Sequence, residues 1–115
     1  IARGGMHLRV RADGALLTTH LDATPTASPY CPSVDVLFES AAAALGSAVL
    51  GVVLTGMGND GVLGAGAIQR AEGRTLTESE GSCVVYGMPR AVVEAELSAG
   101  NAPIEDMAEE IIAHL

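Results

Sequence analysis

The sequence is poor in basic residues, in aromatic residues and in long apolar runs. Lysine and arginine together number 6 against 14 aspartates and glutamates, which gives a formal net charge of −8. Because phosphate binding needs clustered positive charge, this balance argues against a nucleic acid as partner. No apolar stretch approaches the roughly 20 residues that a membrane-spanning helix needs, so we expect no membrane insertion.

Cysteine is also scarce. Cys31 and Cys83 lie far apart and match no zinc-binding or redox spacing. We therefore expect two free thiols in a reducing cytoplasm, no metal site and no cofactor. Hydrophobic residues make up 49% of the 115 residues, which excludes a disordered tail and suffices for the core of one domain spanning residues 1–115. The chain opens on IARGG rather than on an initiator methionine, so we expect a fragment of a longer protein.

Hydrophobic periodicity predicts the main elements. Alternation in MHLRVRADGALLTTHL predicts a β-hairpin with its turn at Asp13-Gly14. Helical spacing over residues 34–45, with Ser33 as N-cap and Gly46 as C-terminal stop, predicts the first helix. The run AVLGVVL is apolar on both faces, as in a central parallel strand. Further elements are expected at 62–72 (helix), RTLTE (strand), SCVVY (strand or extended segment), PRAVVEAEL (helix) and 103–115 (helix).

This order of elements predicts an α/β fold. The expected architecture is a doubly wound, mostly parallel sheet with helices on both faces and an N-terminal β-hairpin, as part of an incomplete domain. A sheet without its first strands would leave an open edge, through which two copies could pair as a homodimer.

The segment GMGNDG, residues 56–61, has the spacing G-x-G-x-x-G between a predicted strand and a predicted helix. One interpretation is a dinucleotide-binding turn in a nucleotide-binding half-domain, with Glu78 or Glu80 as the ribose-binding acid. Asp60 argues against it, because it would lie where a pyrophosphate rests. Two like charges about 4 Å apart cost about 4 kcal/mol at an effective dielectric of 20.

A second interpretation uses the same loop to present Asp60 at the crevice beyond the carboxyl ends of the strands. Gly56, Gly58 and Gly61 would let the backbone turn sharply and let another group come close. The Asn59 amide would hydrogen-bond nearby, and backbone N–H groups of such a loop suit an oxyanion. In a third, purely structural interpretation, Asp60 caps the helix that follows it.

Three ordered segments resemble the catalytic domain of CheB-type chemotaxis methylesterases. They are CPSVDVLFES, VVLTGMGNDGVLGAGAIQRAEG and ESEGSCVVYGMPRAV, and the opening IARGGMHL is similar to the family's IAPGGxHL. The match covers about residues 1–95. Arg3 stands in place of the family's usual proline, and Cys31 in place of a usual basic residue.

The resemblance implies a carboxylic ester hydrolase. The family uses a Ser-His-Asp triad to hydrolyse γ-glutamyl methyl esters on the cytoplasmic part of methyl-accepting chemoreceptors, and many members also deamidate glutamines. The resemblance places the triad's acid at Asp60 and an oxyanion-binding backbone N–H at Met57. The family's Ser and His lie in earlier segments that are not in this chain, so the resemblance implies the C-terminal part of a catalytic domain that is inactive alone. It also suggests a receiver domain in the full-length protein.

Two further residues are candidates for the rim of the crevice, His7 and Met88. Alternation in the hairpin predicts His7 on the polar face, beside two arginines, as a surface or structural residue. Cys83 is expected to be a small buried apolar residue. A catalytically inactive interaction module is the remaining functional hypothesis, beside the hydrolase and the nucleotide-binding half-domain.

Overall fold

The computed structural model describes residues 1–115 as an α/β chain. Its elements in chain order are β1 (His7–Asp13), β2 (Leu16–Asp22), α1 (Val34–Leu45), a short 3₁₀ turn (Gly46–Ala48), β3 (Leu50–Val53), α2 (Val62–Arg70), β4 (Arg74–Glu78), α3 (Met88–Glu94), β5 (Gly100–Ala102) and α4 (Met107–Ala113). None of the helices has both the length and the apolar composition needed to cross a bilayer.

The main sheet has three parallel strands in the order β3-β4-β5. β4 is central, and four of its five residues are buried. Each crossover between neighbouring strands passes through one helix, α2 and then α3. This confirms the predicted parallel sheet. The apolar run expected in a central strand forms β3 instead, at the edge of these three strands, with two of its four residues buried.

Helices cover both faces of this sheet. Val53 belongs to a core cluster with side chains from the first three helices: Phe38, Ala42, Ala65, Ile68 and Val92. Leu76 belongs to a second cluster with Ala102 and Met107, against which Val52 packs. Because consecutive strand residues point to opposite faces, Val52 and Val53 assign α1, α2 and α3 to one face and α4 to the other. The predicted helices on both faces are confirmed.

α1 and α2 cross at very short range. A Cβ at Gly64 would lie 2.5 Å from the Cβ of Phe38 and 3.0 Å from the Cα of Asp35. Only a glycine fits there without displacing one of the helices. This crossing brings the N-termini of the two helices side by side, and the candidate site lies between them.

The N-terminal hairpin forms a separate two-stranded antiparallel sheet that packs on α1. Asp13 pairs with Leu16, so the turn residues are Gly14 and Ala15 rather than the predicted Asp13-Gly14. Gly14 has a φ of +61°, which favours glycine inside the turn. His7 does not lie on a polar face as predicted: it is 2% exposed, which leaves the structural one of its two predicted roles, and its Nδ1 has no hydrogen-bond partner.

Two other segments differ from the sequence prediction. SCVVY forms no strand, only an isolated bridge between Tyr86 and Gly56, and Val84 is 90% exposed. It corresponds to the extended segment that was the alternative. The last helix begins at Met107 rather than near residue 103, because Ile104 and its neighbours form a turn.

Candidate functional site

The glycine loop begins directly after the carboxyl end of β3 and is fastened to the segment before α3. Gly56 N–H donates to the carbonyl of Val85 at 3.1 Å, and the N–H groups of Gly87 and Met88 donate to the Gly56 carbonyl at 3.1 and 2.8 Å. The Thr55 hydroxyl accepts from Val85 N–H at 2.9 Å. The two segments therefore form one unit, which we call the paired loops (residues 54–61 and 79–88).

The glycines of this unit serve different needs. Gly58 and Gly61 have φ angles of +91° and +107°, the left-handed backbone expected for a sharp turn. Gly56 instead makes room for Met88, whose Sδ would lie 2.5 Å from a Cβ at that position. Gly87 allows contact between backbones, since a Cβ there would lie 2.6 Å from the Gly56 carbonyl oxygen and 3.0 Å from Gly58 N.

Met57 lies at the outer bend of the loop. Its side chain is 82% exposed. Its backbone N–H donates to no acceptor within the chain. This backbone N–H, on a loop held by several backbone hydrogen bonds, is therefore unpaired, as a donor for an anion must be.

Asp60 is buried, with 6% of its surface exposed, against the N-terminus of α1. Its Oδ1 accepts from the Ser33 hydroxyl at 2.9 Å and from Asp35 N–H at 3.0 Å, and its Oδ2 accepts from Val34 N–H at 2.7 Å. The structural interpretation, in which Asp60 caps the helix that follows it, is therefore wrong. Asp60 caps the preceding helix, 25 to 27 residues upstream.

Asp35 makes the reciprocal contact. Its Oδ1 accepts from Gly61 N–H at 2.9 Å and from Gly64 N–H at 2.8 Å, at the start of α2. Asp60, which precedes α2, thus caps α1, and Asp35, in the first turn of α1, caps α2. The first turn of α2 already holds one carboxylate, which leaves it poorly suited to a pyrophosphate.

The acids proposed for ribose binding do not support a nucleotide site. Glu78 is 2% exposed, and its Oε2 accepts from Thr55 N–H at 2.7 Å while its Oε1 accepts from the Ser82 hydroxyl at 2.9 Å. Neither Glu78 nor Glu80 lines a cavity. Together with the cap on α2, this geometry argues against the dinucleotide interpretation.

The Asp60 carboxylate retains one acceptor position. A carboxylate offers about four lone pairs, and three donors reach this one, two at Oδ1 and one at Oδ2. No histidine of the chain hydrogen-bonds to it: His7 has none of its own, and His114 contacts Glu110. Within this chain Asp60 is a buried helix cap with one acceptor position left at Oδ2, and no triad is assembled. Asp60 lines none of the cavities, so the expectation that the loop presents it at an open crevice is wrong for this chain.

A cavity of about 440 Å³ lies beside the loop, between the segment 26–30 and the first turns of α1. Asn59 and Leu63 line it from the loop side, and Tyr30, Asp35 and Glu39 line it from the other. Neither of the residues expected at the rim, His7 and Met88, lines this cavity or any other. Met88 instead contacts Gly56 inside the paired loops.

Cys83, within the second of the paired loops, is half-buried, and Cys31 is exposed. Burial raises the pKa of the Cys83 thiol, and the negative charge of nearby Glu78 raises it further. The thiol is therefore protonated at neutral pH, which removes the nucleophilic form. This agrees with the structural role that the sequence predicts for Cys83.

Known proteins resemble this chain along nearly its whole length. The family model for the CheB methylesterase matches residues 1–111. The chain belongs to the CheB methylesterase family. It is 58% identical over 107 residues to a protein-glutamate methylesterase/protein-glutamine glutaminase of Myxococcus xanthus, covering 93% of this chain and 31% of that protein. A protein of the same name from Oleidesulfovibrio alaskensis is 46% identical over 112 residues, covering 97% of this chain and 30% of that protein.

The fold comparison agrees with this assignment. The crystal structure of the Thermotoga maritima CheB methylesterase catalytic domain superimposes with a TM-score of 0.93 at 31% identity, covering 97% of this chain and 59% of that one. The chain thus spans about a third of the length of its curated CheB relatives. The resemblance inferred from the three motifs is confirmed.

Sequence reasoning missed two residues of the site. Asp35 was visible only as an acid in the first turn of α1, and Glu78 only as a ribose-binding candidate. A signal for Glu78 was available: it is an acid at the carboxyl end of a buried strand, where a charge is costly unless it is hydrogen-bonded.

Proposed function

We propose that this chain supplies the acid and the oxyanion-binding loop of a protein-glutamate methylesterase. The observation that carries the proposal is the Asp60 carboxylate, which is held by three donors and keeps one acceptor position at Oδ2. Residues 1–115 would form the C-terminal part of the catalytic domain. The substrate would be γ-glutamyl methyl esters on the cytoplasmic part of methyl-accepting chemoreceptors, as the family resemblance implies.

The mechanism needs a serine and a histidine from outside this chain. The serine hydroxyl attacks the ester carbonyl while the imidazole takes its proton, methanol leaves, and water then releases the acyl group. Asp60 accepts the second N–H of the imidazole at its free position. It thereby fixes the ring tautomer and stabilises the imidazolium that forms.

Met57 would stabilise the tetrahedral intermediate. Its backbone N–H has no acceptor within the chain, so it can donate to the developing oxyanion without breaking an existing bond. The paired loops hold this N–H in place, with Gly56, Gly58, Asn59 and Gly61 shaping the turn around it. Met88 and His7 support the loop and the hairpin rather than the reacting atoms.

The same geometry would support deamidation of glutamine, with ammonia in place of methanol as leaving group. The relatives from Myxococcus xanthus and Oleidesulfovibrio alaskensis carry both activities in their names. We propose both for this protein, in the cytoplasm where receptor glutamates lie. Those relatives are about three times as long as the chain, which leaves room for a receiver domain. The unpaired edge of β3 would also allow a homodimer, and a monomer by light scattering would contradict that part.

The decisive experiment measures methanol release from methylated receptor by the full gene product that carries this chain. Asp60→Asn should lower kcat by about 10⁴-fold, as loss of the triad acid does in serine proteases. Asp35→Asn is the matched control, because it alters the reciprocal cap but touches no reacting group, and it should retain kcat within about tenfold. Equal activity of Asp60→Asn and the wild type would refute the role of Asp60. An inactive wild type would instead support the inactive interaction module.

A further inference from the structure

We propose that Glu78 is a positioning residue for the oxyanion-binding loop. Its buried carboxylate lies between the paired loops and hydrogen-bonds to both: to Thr55 N–H in the first and to the Ser82 hydroxyl in the second. The inference rests on the proposed function, since it concerns the loop that presents Met57.

The place of Glu78 in the fold makes it a shared anchor. It is the last residue of the central strand β4, where its backbone pairs with Ala102 of β5, and the preceding residue, Thr77, pairs with Val53 of β3. Its side chain is 2% exposed and lines no cavity. It therefore acts through the groups it binds and not by touching a substrate.

Those groups lead directly to the loop. Thr55 precedes Gly56, and its hydroxyl donates to the Val85 carbonyl at 3.2 Å as well as accepting from Val85 N–H. Gly56 N–H donates to the same carbonyl. The Ser82 hydroxyl also accepts from Ile104 N–H at 3.0 Å, which joins the second loop to the turn that follows β5. One carboxylate thus orients the residue two positions before Met57 and the turn opposite it.

A structural role alone does not require an acid at this position. A leucine would fill a similar volume without the cost of burying a charge. What the carboxylate adds is the orientation of two donors, one of them a backbone N–H that has no other acceptor in the chain.

Two measurements test this role. The first is amide hydrogen exchange of Thr55 and Gly56 in the chain. Glu78→Leu should speed their exchange at least roughly tenfold, because the loop opens locally. The second is kcat and KM for methanol release by the full gene product. Glu78→Leu should lower kcat by about 10–100-fold with little change in KM, a part of the roughly 10²–10³ that one oxyanion donor supplies.

Two further variants separate positioning from general stability. Glu78→Gln keeps one oxygen for Thr55 N–H and can donate to Ser82, so it should restore both values to near wild type. Thr77→Val is the matched control in the same strand, because it loses buried bonds to Ser98 and Asn101 on the β5 side. It should lower stability without changing loop exchange or kcat.

The outcomes are distinguishable. Unchanged exchange at Thr55 and Gly56 in Glu78→Leu, or an equal loss of kcat in Thr77→Val, would overturn the inference. If Glu78→Leu does not fold, Ser82→Ala takes its place; it removes one donor and should move both values in the same direction, and no change would also overturn it. If the wild type releases no methanol, the proposed function fails while the exchange data still decide the role of Glu78.

Discussion

Asp35 donates its backbone N–H to the carboxylate of Asp60 at 3.0 Å. Asp60 caps α1, which contains Asp35, and Asp35 caps α2, which Asp60 precedes. Like-charged carboxylates on neighbouring elements repel each other. Here each one faces the N-terminal end of a helix, where unpaired N–H groups and the helix dipole favour a negative charge. The pair therefore ties α1 to α2 and fixes the glycine loop between them.

The reciprocal caps should show up as coupled stability. Asp60→Ala and Asp35→Ala should each lower the free energy of unfolding by about 0.5–2 kcal/mol, the usual range for a lost cap. The double variant should lose less than the sum, because both caps act on the same contact between α1 and α2, which either single substitution already weakens. Urea unfolding of the four proteins measures this. Strict additivity would show that the caps are independent.

Gly87 should be irreplaceable in the paired loops. An alanine Cβ would lie 2.6 Å from the Gly56 carbonyl oxygen, so the backbone of one loop must move. We expect Gly87→Ala to lower kcat of the full gene product by about 10²-fold, the effect of misplacing a catalytic group by about 1 Å. Gly81→Ala is the control in the same segment, where a Cβ meets nothing within 4 Å. Similar activity of both variants would contradict the close contact.

The crossing of α1 and α2 predicts opposite effects at two neighbouring glycines of one helix. Gly64→Ala should destabilise the chain by about 1–3 kcal/mol, because its Cβ would overlap Phe38. A Cβ at Gly66 would lie 3.2 Å from the flexible end of Arg70 and at ordinary contact distance, 3.9 Å, from Leu97. Gly66→Ala should therefore be neutral or stabilising by up to about 1 kcal/mol, since alanine is the better helix former. Thermal unfolding distinguishes them, and equal losses would mean that the helices are farther apart.

The hairpin should weaken in acid. The hydrogen bond from Arg9 holds the pKa of Asp22 below its ordinary value of 3.8, against a smaller opposing effect of desolvation. A lowered folded-state pKa contributes stability that is present above the unfolded value and is lost as pH falls through the folded one. The stability difference between wild type and Arg9→Ala should therefore shrink as pH falls below 3.8. Arg11→Ala, at an exposed position, should show no such pH dependence.

Local patterns predicted most of the fold. α1 ends at Gly46 as its apolar spacing and glycine stop indicate, and β4 coincides with RTLTE. For SCVVY the sequence left two alternatives open, and the structure shows the extended segment rather than the strand. Its β-branched residues favour a strand, but its backbone pairs with the Thr55 side chain and Gly56. The face predicted for His7 was also wrong. Alternation shows which residues share a face of the hairpin but not which face is covered, and α1 packs on the hairpin.

For the candidate site, the sequence indicates which residues to consider but not which groups they contact. The spacing of GMGNDG located Asp60 and the glycines. Capping rules, however, consider only the helix adjacent in sequence, and the donors to Asp60 lie 25 to 27 residues away. The burial of Glu78 likewise depends on the paired loops that follow β3 and β4 and cover it, and the sequence of β4 alone does not specify their positions.

The dual engagement of Asp60 affects how this family should diverge. Because the acid holds two helices together, a copy that has become a pseudoenzyme remains under selection to keep it for folding alone. Met57 carries no comparable structural duty, since its side chain projects outward and its N–H is unpaired. In members that lose activity, substitutions should therefore appear first at Met57, while Asp60 is retained for its structural role.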